Sequence, residues 1–520
     1  MNQCDVLMVV PYQEIAAFGP RIIDNYLRSL GHRVDLVFFK GRNQEDAYPS
    51  KREISLLVDF VRERRPYLVG FSVMSAFYNV TAMLTERIRN AVPVPIVWGG
   101  VHPTICPEEC ITVADLCCLG EGEEPLRRIV EDLKAGGEIG DHVQNCWIRK
   151  GDRIVKNEVT YLCKDPDDAP IHPFTHENKY FIEDDMLRNE DPYITYIERQ
   201  AKYYFKAFRG CPFHCTYCGN KAIRDVYGKA GNYLRRRSLE SVMEELNAVL
   251  KQFPGIKKIH SYDEVFISDR EFVREFSKRY KKEIGLPFSC DIYLSLITPE
   301  IAGWMSDAGL YAVNVGIEAF SEEIRRDLYR RKGLSNANIL EKAGILKGHG
   351  VRITYDFIWD NPVETEDMIE KCFWDLIRKL PRPCNFNHYS LSFLPKSELA
   401  EMFLKKELIR ESDIVGHSDK GLVQWKVSSK YRRSKRARFW HTLFRLTSLE
   451  TAGSGKGGIV PMWIIEAVAA IKSHLLASML LQGALAVQSM REGNFLRKVR
   501  GKVSRARKKA EPGGGSAERP

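Results

Sequence analysis

Three cysteines, Cys211, Cys215 and Cys218, stand in one short run, FRGCPFHCTYCGN, over residues 208–220. The spacing is C-x₃-C-x₂-C, close enough for all three thiolates to point at one metal centre. A four-iron cluster usually takes four cysteines, so three leave one iron without a protein ligand. An open coordination position suits a reactive metal site, whereas a structural site closes its shell. Gly210 allows close backbone approach, and Pro212 stiffens the turn. Phe213 and Tyr217 can shield the centre from water. Two plainer arrangements compete: a zinc knuckle that adds His214 to the cysteines, and cysteines packed in a core. His214 directly precedes Cys215, which strains any shared coordination.

The elements around this run set its position. A strand over 203–208 leads into it. Helix and strand patterns then alternate: strands at 256–260, 288–291, 312–316, 352–358 and 386–392, with helices between them. The count is six strand–helix units, too few for a closed eightfold barrel. Barrel enzymes place their chemistry at the carboxyl ends of strands. The first strand ends in the cysteines and the second in Tyr262-Asp263-Glu264. The fourth ends in Gly316-Ile317-Glu318 and the fifth in Asp360-Asn361-Pro362. Carboxylates at Asp263, Glu264 and Glu318 can hold an amino group or ribose hydroxyls by hydrogen bonds. For Asp263 and Glu264, helix capping is an equal alternative.

Upstream, apolar strands at 5–10, 34–39, 68–73, 96–98 and 116–119 alternate with helical stretches. That pitch implies a parallel sheet covered on both faces, with ligands at the carboxyl ends of its strands. Ser72 and Ser75 fall at one such end. Gly99, Gly100 and His102 follow another, and Gly120, Glu121 and Gly122 a third. No G-x-G-x-x-G opens a helix after the first strand, which disfavours a dinucleotide.

The cysteine run resembles the cluster loop of the radical S-adenosylmethionine (SAM) superfamily. The segments VGFSVMS, VWGGVHPT and LGEGEEPL, in that order, are similar to the cobalamin-binding domain upstream of many such enzymes. The resemblance covers about residues 1–400. It implies a flavodoxin-like cobalamin-binding domain followed by a partial (βα)₆ barrel, an α/β chain throughout. It implies a [4Fe-4S] cluster on Cys211, Cys215 and Cys218, with SAM chelated at the open iron and cleaved to a 5′-deoxyadenosyl radical. It places cobalamin beside Ser72, Ser75, Gly99, Gly100, His102 and Gly120–Gly122. The segment GIEAFSEE resembles the family's stretch near SAM, which assigns Gly316 and Glu318 there. Arg330 and Arg331 resemble a basic pair after the fourth unit. The D-x-H-x-x-G motif that supplies cobalt with a lower histidine elsewhere is missing after the first strand. The implied activity is methylation of an unactivated carbon. Radical cyclisation or rearrangement within the same family is the alternative, and a non-catalytic cobalamin or redox sensor is a reading of another class.

The expected organisation is a cobalamin domain over 1–140, a connector over 141–195, the barrel over 196–395, a helical region over 396–490 and a basic, disordered tail over 491–520. The 520 residues carry 78 Lys and Arg against 68 Asp and Glu, a net charge of +10. The excess sits in the run from Lys430 to Arg438 and in the tail from Arg491 to Lys509. Helical patterns cover 439–449 and 460–486. Glu466, Lys472 and His474 interrupt the second, which disfavours a spanning helix. An amphipathic helix packed on the barrel is the first reading of this stretch; the flanking basic runs fit the other, peripheral attachment to anionic lipid, and the basic tail alone is poor support for a specific nucleic acid. Thirteen cysteines without framework spacing, and no visible signal segment, point to a reducing cytoplasm, with peripheral attachment at the inner membrane surface. The partners expected are a small-molecule substrate (a lipid or a natural product) and an electron donor such as flavodoxin or ferredoxin.

Overall fold

The computed structural model describes residues 3–12, 16–40, 48–168, 174–228, 230–417, 434–449 and 460–491. Two parallel sheets organise them. The first begins with β1 (Val6–Val10), β2 (Val34–Phe39), β3 (Leu68–Ser72), β4 (Ile96–Gly99) and β5 (Leu116–Cys118). Every residue of β1 and β2 is buried, as expected for strands covered by helices on both faces. Four further strands extend this sheet: β6 (Cys146–Lys150), β7 (Arg153–Lys156), β8 (Lys179–Glu183) and β9 (Met186–Arg188). The order is β7-β6-β5-β4-β3-β1-β2-β8-β9. Much of the stretch expected as a connector over 141–195 thus folds onto both edges of the first sheet. The sequence reversal lies between β1 and β3, the switch point at which ligands bind in such sheets.

The second sheet uses β10 (Lys202–Phe205). A short antiparallel pair, β11 (Phe208–Arg209) with β12 (Arg235–Arg236), brackets the cysteine run. The sheet continues through β13 (Lys258–Ser261), β14 (Phe288–Ile292), β15 (Leu310–Glu318), β16 (Arg352–Trp359) and β17 (Cys384–Ser390) in sequential parallel order. Six strands make an open barrel, as the pattern predicted. After β15 the first helical stretch is a π-type turn over Ile324–Leu328. The long apolar helix expected over 460–486 is two helices, Met462–Ile471 and His474–Arg491, broken where Lys472 adopts φ 54°. No helix of the described residues is long and apolar enough to cross a membrane. The basic tail, and residues 430–433 of the other basic run, lie outside the described residues.

A buried ion pair joins the sheets. Arg21, on the helix after β1, donates to Asp191 at 2.6 and 2.7 Å, and both side chains are buried. Asp191 also caps the helix Pro192–Gln200 that leads into β10. Breaking one partner of such a pair strands a charge in the interior, typically at about 3–5 kcal/mol. The pair therefore fixes where the first barrel strand starts relative to the first sheet.

Candidate active site

The cysteine loop is held from three sides. Gly210 sits at φ 92°, and a Cβ there would lie 2.6 Å from the Tyr233 carbonyl oxygen, so only glycine fits. Thr216 donates its hydroxyl to the Leu328 carbonyl at 2.6 Å. Asp263 accepts from the Phe208 amide at 2.7 Å, the Ala207 amide at 3.0 Å and the Ser261 hydroxyl at 2.7 Å. Its oxygens are committed to the backbone that enters the loop, so it caps no following helix. Burial pushes the Asp263 carboxyl up to about 6, although Lys206 and those donors pull the other way.

Cys211 and Cys215 are buried and Cys218 half-buried. Burial pushes the Cys218 thiol up to about 12, and Cys215 and Cys211 add to it. Iron would reverse that balance, because a bound cation deprotonates a coordinating thiol. His214 faces away: Arg224 Nη1 lies 2.6 Å from its Nε2 and 3.0 Å from its Nδ1, on the exposed side. That geometry favours three cysteine ligands over the zinc knuckle. The donor set fits a cluster with one open iron.

Next to the loop stands a polar group built by the barrel. Arg331 is buried, with Nη1 3.5 Å from Cys215 Sγ and 3.0 Å from the Tyr217 hydroxyl. Its Nη2 donates to the Gly316 carbonyl at 2.6 Å. It lies over the Tyr293 ring, which stacks on Phe213 with centroids 3.8 Å apart. A Cβ on Gly316 would collide with the Glu318 carboxylate and meet Arg331 at 3.0 Å, so a side chain there would push both charged ends aside. Glu318, itself at φ 71°, folds back beside it. Burial raises the Glu318 carboxyl, while Arg331 and Tyr217 oppose the rise. Gly316 and Glu318 are thus brought together with Cys215. Arg330 points outward to Glu398, 2.8 Å away.

At the carboxyl ends of the first sheet lies a cavity of about 400 Å³. Ser72, Gly99, Gly100, Gly120, Glu121, Gly122 and Glu264 line it, and so do Arg209, Gly210, Tyr227 and Tyr233 from around the cysteine loop. Its apolar wall includes Met8, Phe18, Ile22 and Leu126. Gly100, at φ 96°, packs so that a Cβ would lie 3.1 Å from Val73 backbone atoms. A Cβ on Gly120, at φ 78°, would stand 2.7 Å from the Tyr227 hydroxyl. The glycines thus form a cradle that any side chain would fill, which suits a flat, bulky group. Ser72 accepts or donates to Tyr12 across 3.0 Å. Glu121 meets Arg235 at 2.6 and 3.0 Å, Arg209 at 2.9 Å and the Cys163 amide at 2.6 Å. Burial works against the Glu121 carboxylate, but Arg235 and Arg209 hold it below its usual range. It clamps the β11–β12 pair to the end of the first sheet. Lys206 pairs with Glu264 at 3.0 Å on the cavity wall.

Ser75 and His102 lie elsewhere. His102 is fully buried, with Nδ1 3.1 Å from the Ser75 hydroxyl, and neither residue lines the cavity. Among the described residues no histidine lines it. The sequence reading missed Tyr227, Tyr233 and Arg235, which close the cavity from the barrel side. The basic run Arg235-Arg236-Arg237 was the available signal.

Comparison with known families assigns both halves. The B12 binding domain matches residues 5–130 and the radical SAM superfamily matches residues 205–373. The chain is a B12-binding radical SAM enzyme. Its cofactors are a [4Fe-4S] cluster, SAM and cobalamin. Similar proteins include an anaerobic magnesium-protoporphyrin IX monomethyl ester cyclase of Rubrivivax gelatinosus, 23% identical over 61% of this chain. The chain spans 55% of that relative's length. A protein named as a methylthiotransferase from Methanocaldococcus jannaschii is 26% identical over 70% of this chain and 72% of its own. The fold is also that of the radical SAM methyltransferase TsrM of Kitasatospora setae, solved with cobalamin and a [4Fe-4S] cluster. There the TM-score is 0.62 at 17% identity, covering 78% of each chain.

Proposed function

We propose that this B12-binding radical SAM enzyme methylates an unactivated carbon of a small molecule. The observation that carries the reading is the single cavity shared by the glycine cradle of the first sheet and Gly210 of the cysteine loop. A group seated among Gly99, Gly100, Gly120 and Gly122 faces the loop that carries the cluster ligands, so a methyl donor and a radical source share one space. When bound, the cofactors supply a methyl group and a hydrogen-abstracting radical, which is chemistry no side chain provides. The chain's own task is to place and enclose the reactants. Cys211, Cys215 and Cys218 hold the cluster. Glu318 can accept from an amino group beside it, and Arg331 and Tyr217 fix that carboxylate. Ser72 and the cradle glycines hold cobalamin.

The substrate would enter the barrel interior. Gly316, Asp356 and Asn387 are neighbours in register across β15, β16 and β17. Asn387 donates to Asp356 at 2.8 Å, and Asn314 donates to Asp291 at 2.6 Å. Burial pushes Asp356 up to about 8, and Glu318 adds to the rise. A lining of carboxyls and amides favours a substrate with N–H or O–H groups, such as a natural product, over the hydrocarbon of a lipid. An electron donor of the flavodoxin or ferredoxin kind would reduce the cluster.

The likeness to the protoporphyrin cyclases supports a second reading, radical ring closure, in which cobalamin donates no methyl group. The two part on products: with reductant and SAM, methyl transfer releases S-adenosylhomocysteine as well as 5′-deoxyadenosine. Peripheral attachment to anionic membranes is supported by Trp463, Ile471, Leu475 and Met479, all exposed on the two C-terminal helices. Equal flotation with neutral and anionic vesicles would remove that reading.

A further inference from the structure

Away from the cavity, three metal-ligating side chains converge, and a fourth stands beside one of them. The three have the H-x₃-C-x₂-E spacing of His102, Cys106 and Glu109. His102 and Glu109 lie on two consecutive short helices, Val101–Ile105 and Pro107–Val113, and Cys106 joins them, so that one-turn intervals turn all three to one side. Their ligand atoms all lie within 4.8 Å of one another. Ligand atoms of one tetrahedral zinc, at about 2.0–2.3 Å each, stand about 3.3–3.8 Å apart, so the group has to close by no more than about 1.5 Å to hold the ion. The fourth side chain is His417, from the segment after the barrel. Its Nε2 lies 2.9 Å from Glu109 Oε2. Gly416 lets that segment pass, since a Cβ there, at φ 100°, would lie 3.1 Å from the Ser75 carbonyl oxygen. The bridge between Phe393 and Ile414 anchors it.

The buried imidazole points to a ligand. His102 is 0% exposed. Its Nδ1 is held by the Ser75 hydroxyl at 3.1 Å, the outer hydrogen bond that metal-bound histidines usually make. Its Nε2 lies 3.0 Å from Glu109 Oε1, yet neither atom has a hydrogen-bond partner. An acceptor and a ring nitrogen this close, without hydrogen-bond alignment, are placed as two ligands of a shared cation would be.

We propose that His102, Cys106, Glu109 and His417 form a structural zinc site that ties the post-barrel segment to the cobalamin domain. Two imidazoles, one thiolate and one carboxylate are a borderline-soft set suited to zinc. Four protein ligands leave no open position, so the site is a staple and takes no part in the reaction. It goes beyond the methyltransferase reading and stands or falls without it.

The test uses full-length protein loaded with cluster and cobalamin, so that iron and cobalt are accounted for and zinc is counted separately. Zinc sulfate is the probe, followed by competition with a chelator, elemental analysis and zinc K-edge absorption spectroscopy. The expected result is one zinc per chain with one sulfur neighbour at about 2.3 Å and nitrogen or oxygen neighbours at about 2.0–2.1 Å. Cys106→Ser should remove the sulfur neighbour. His417→Ala, at a side chain 37% exposed, should fold normally and weaken zinc at least tenfold with iron and cobalamin unchanged. No retained zinc in the wild type would overturn the proposal. So would zinc held equally by both variants and the wild type, or zinc undiminished in His417→Ala alone.

Discussion

The two cofactor regions are built by opposite means. The cradle of the first sheet is made by leaving side chains out: Gly100 and Gly120, at positive φ, open space against Val73 and Tyr227. The barrel end is made by putting charge in: Arg331, Glu318, Asp356 and Asp291 crowd its inner face, and burial raises the three carboxyls. One region recognises by shape and the other by field. A volume change should therefore disable the first, and a charge change the second, with little crossover beyond the shared cavity.

The largest effects should come from the cluster ligands. Cys211→Ala, Cys215→Ala or Cys218→Ala should each abolish cluster assembly and SAM cleavage. Iron and sulfide at wild-type content in any of them would break the assignment. Next, Gly120→Val adds bulk where the Tyr227 hydroxyl stands and forces a β-branched residue to positive φ. Cobalamin content should fall at least tenfold while iron content holds. A parallel loss of both would erase the contrast between the regions.

Arg331→Met removes charge beside Cys215 and Glu318 while keeping length. SAM cleavage should fall about 100-fold, the lower end of what losing one positioned electrostatic group costs, with cobalamin content unchanged. A smaller effect is expected of Asp356. Its folded-state pKa of about 8 lies above the ordinary 3.8. The folded state thus holds more protons than the unfolded chain between those values, and stability falls as pH rises through that window. Asp356→Asn should raise the Tm more at pH 8 than at pH 4, by a few degrees. Equal shifts at both pH values would show that the carboxyl is not held protonated by burial.

The cysteine loop and the glycine loops were legible in the sequence because their chemistry is local: three thiols in one turn, and glycines directly after buried strands. Glu121 was named as a candidate site residue, but its partners Arg209 and Arg235 come from the β11–β12 pair, and no spacing reveals that pairing. Asp263 was read as a ligand contact or a cap. It holds the backbone entering the cysteine loop, a role set by parallel pairing of β10 and β13. Strands β6 to β9 escaped notice because their apolar stretches run to three residues at most, Cys-Trp-Ile in β6 and Tyr-Phe-Ile in β8; β7 is Arg-Ile-Val-Lys and mostly exposed. Arg331 was read only as one of a basic pair after the fourth unit, because charge in sequence carries no mark of burial.

The most direct test of the central claim is SAM turnover by anaerobically reconstituted protein at graded cobalamin loading. The quantities measured are 5′-deoxyadenosine and S-adenosylhomocysteine. Methyl transfer from the cavity predicts both products, with S-adenosylhomocysteine tracking bound cobalamin and lost in Gly120→Val. 5′-Deoxyadenosine without S-adenosylhomocysteine at every loading would contradict it and favour ring closure.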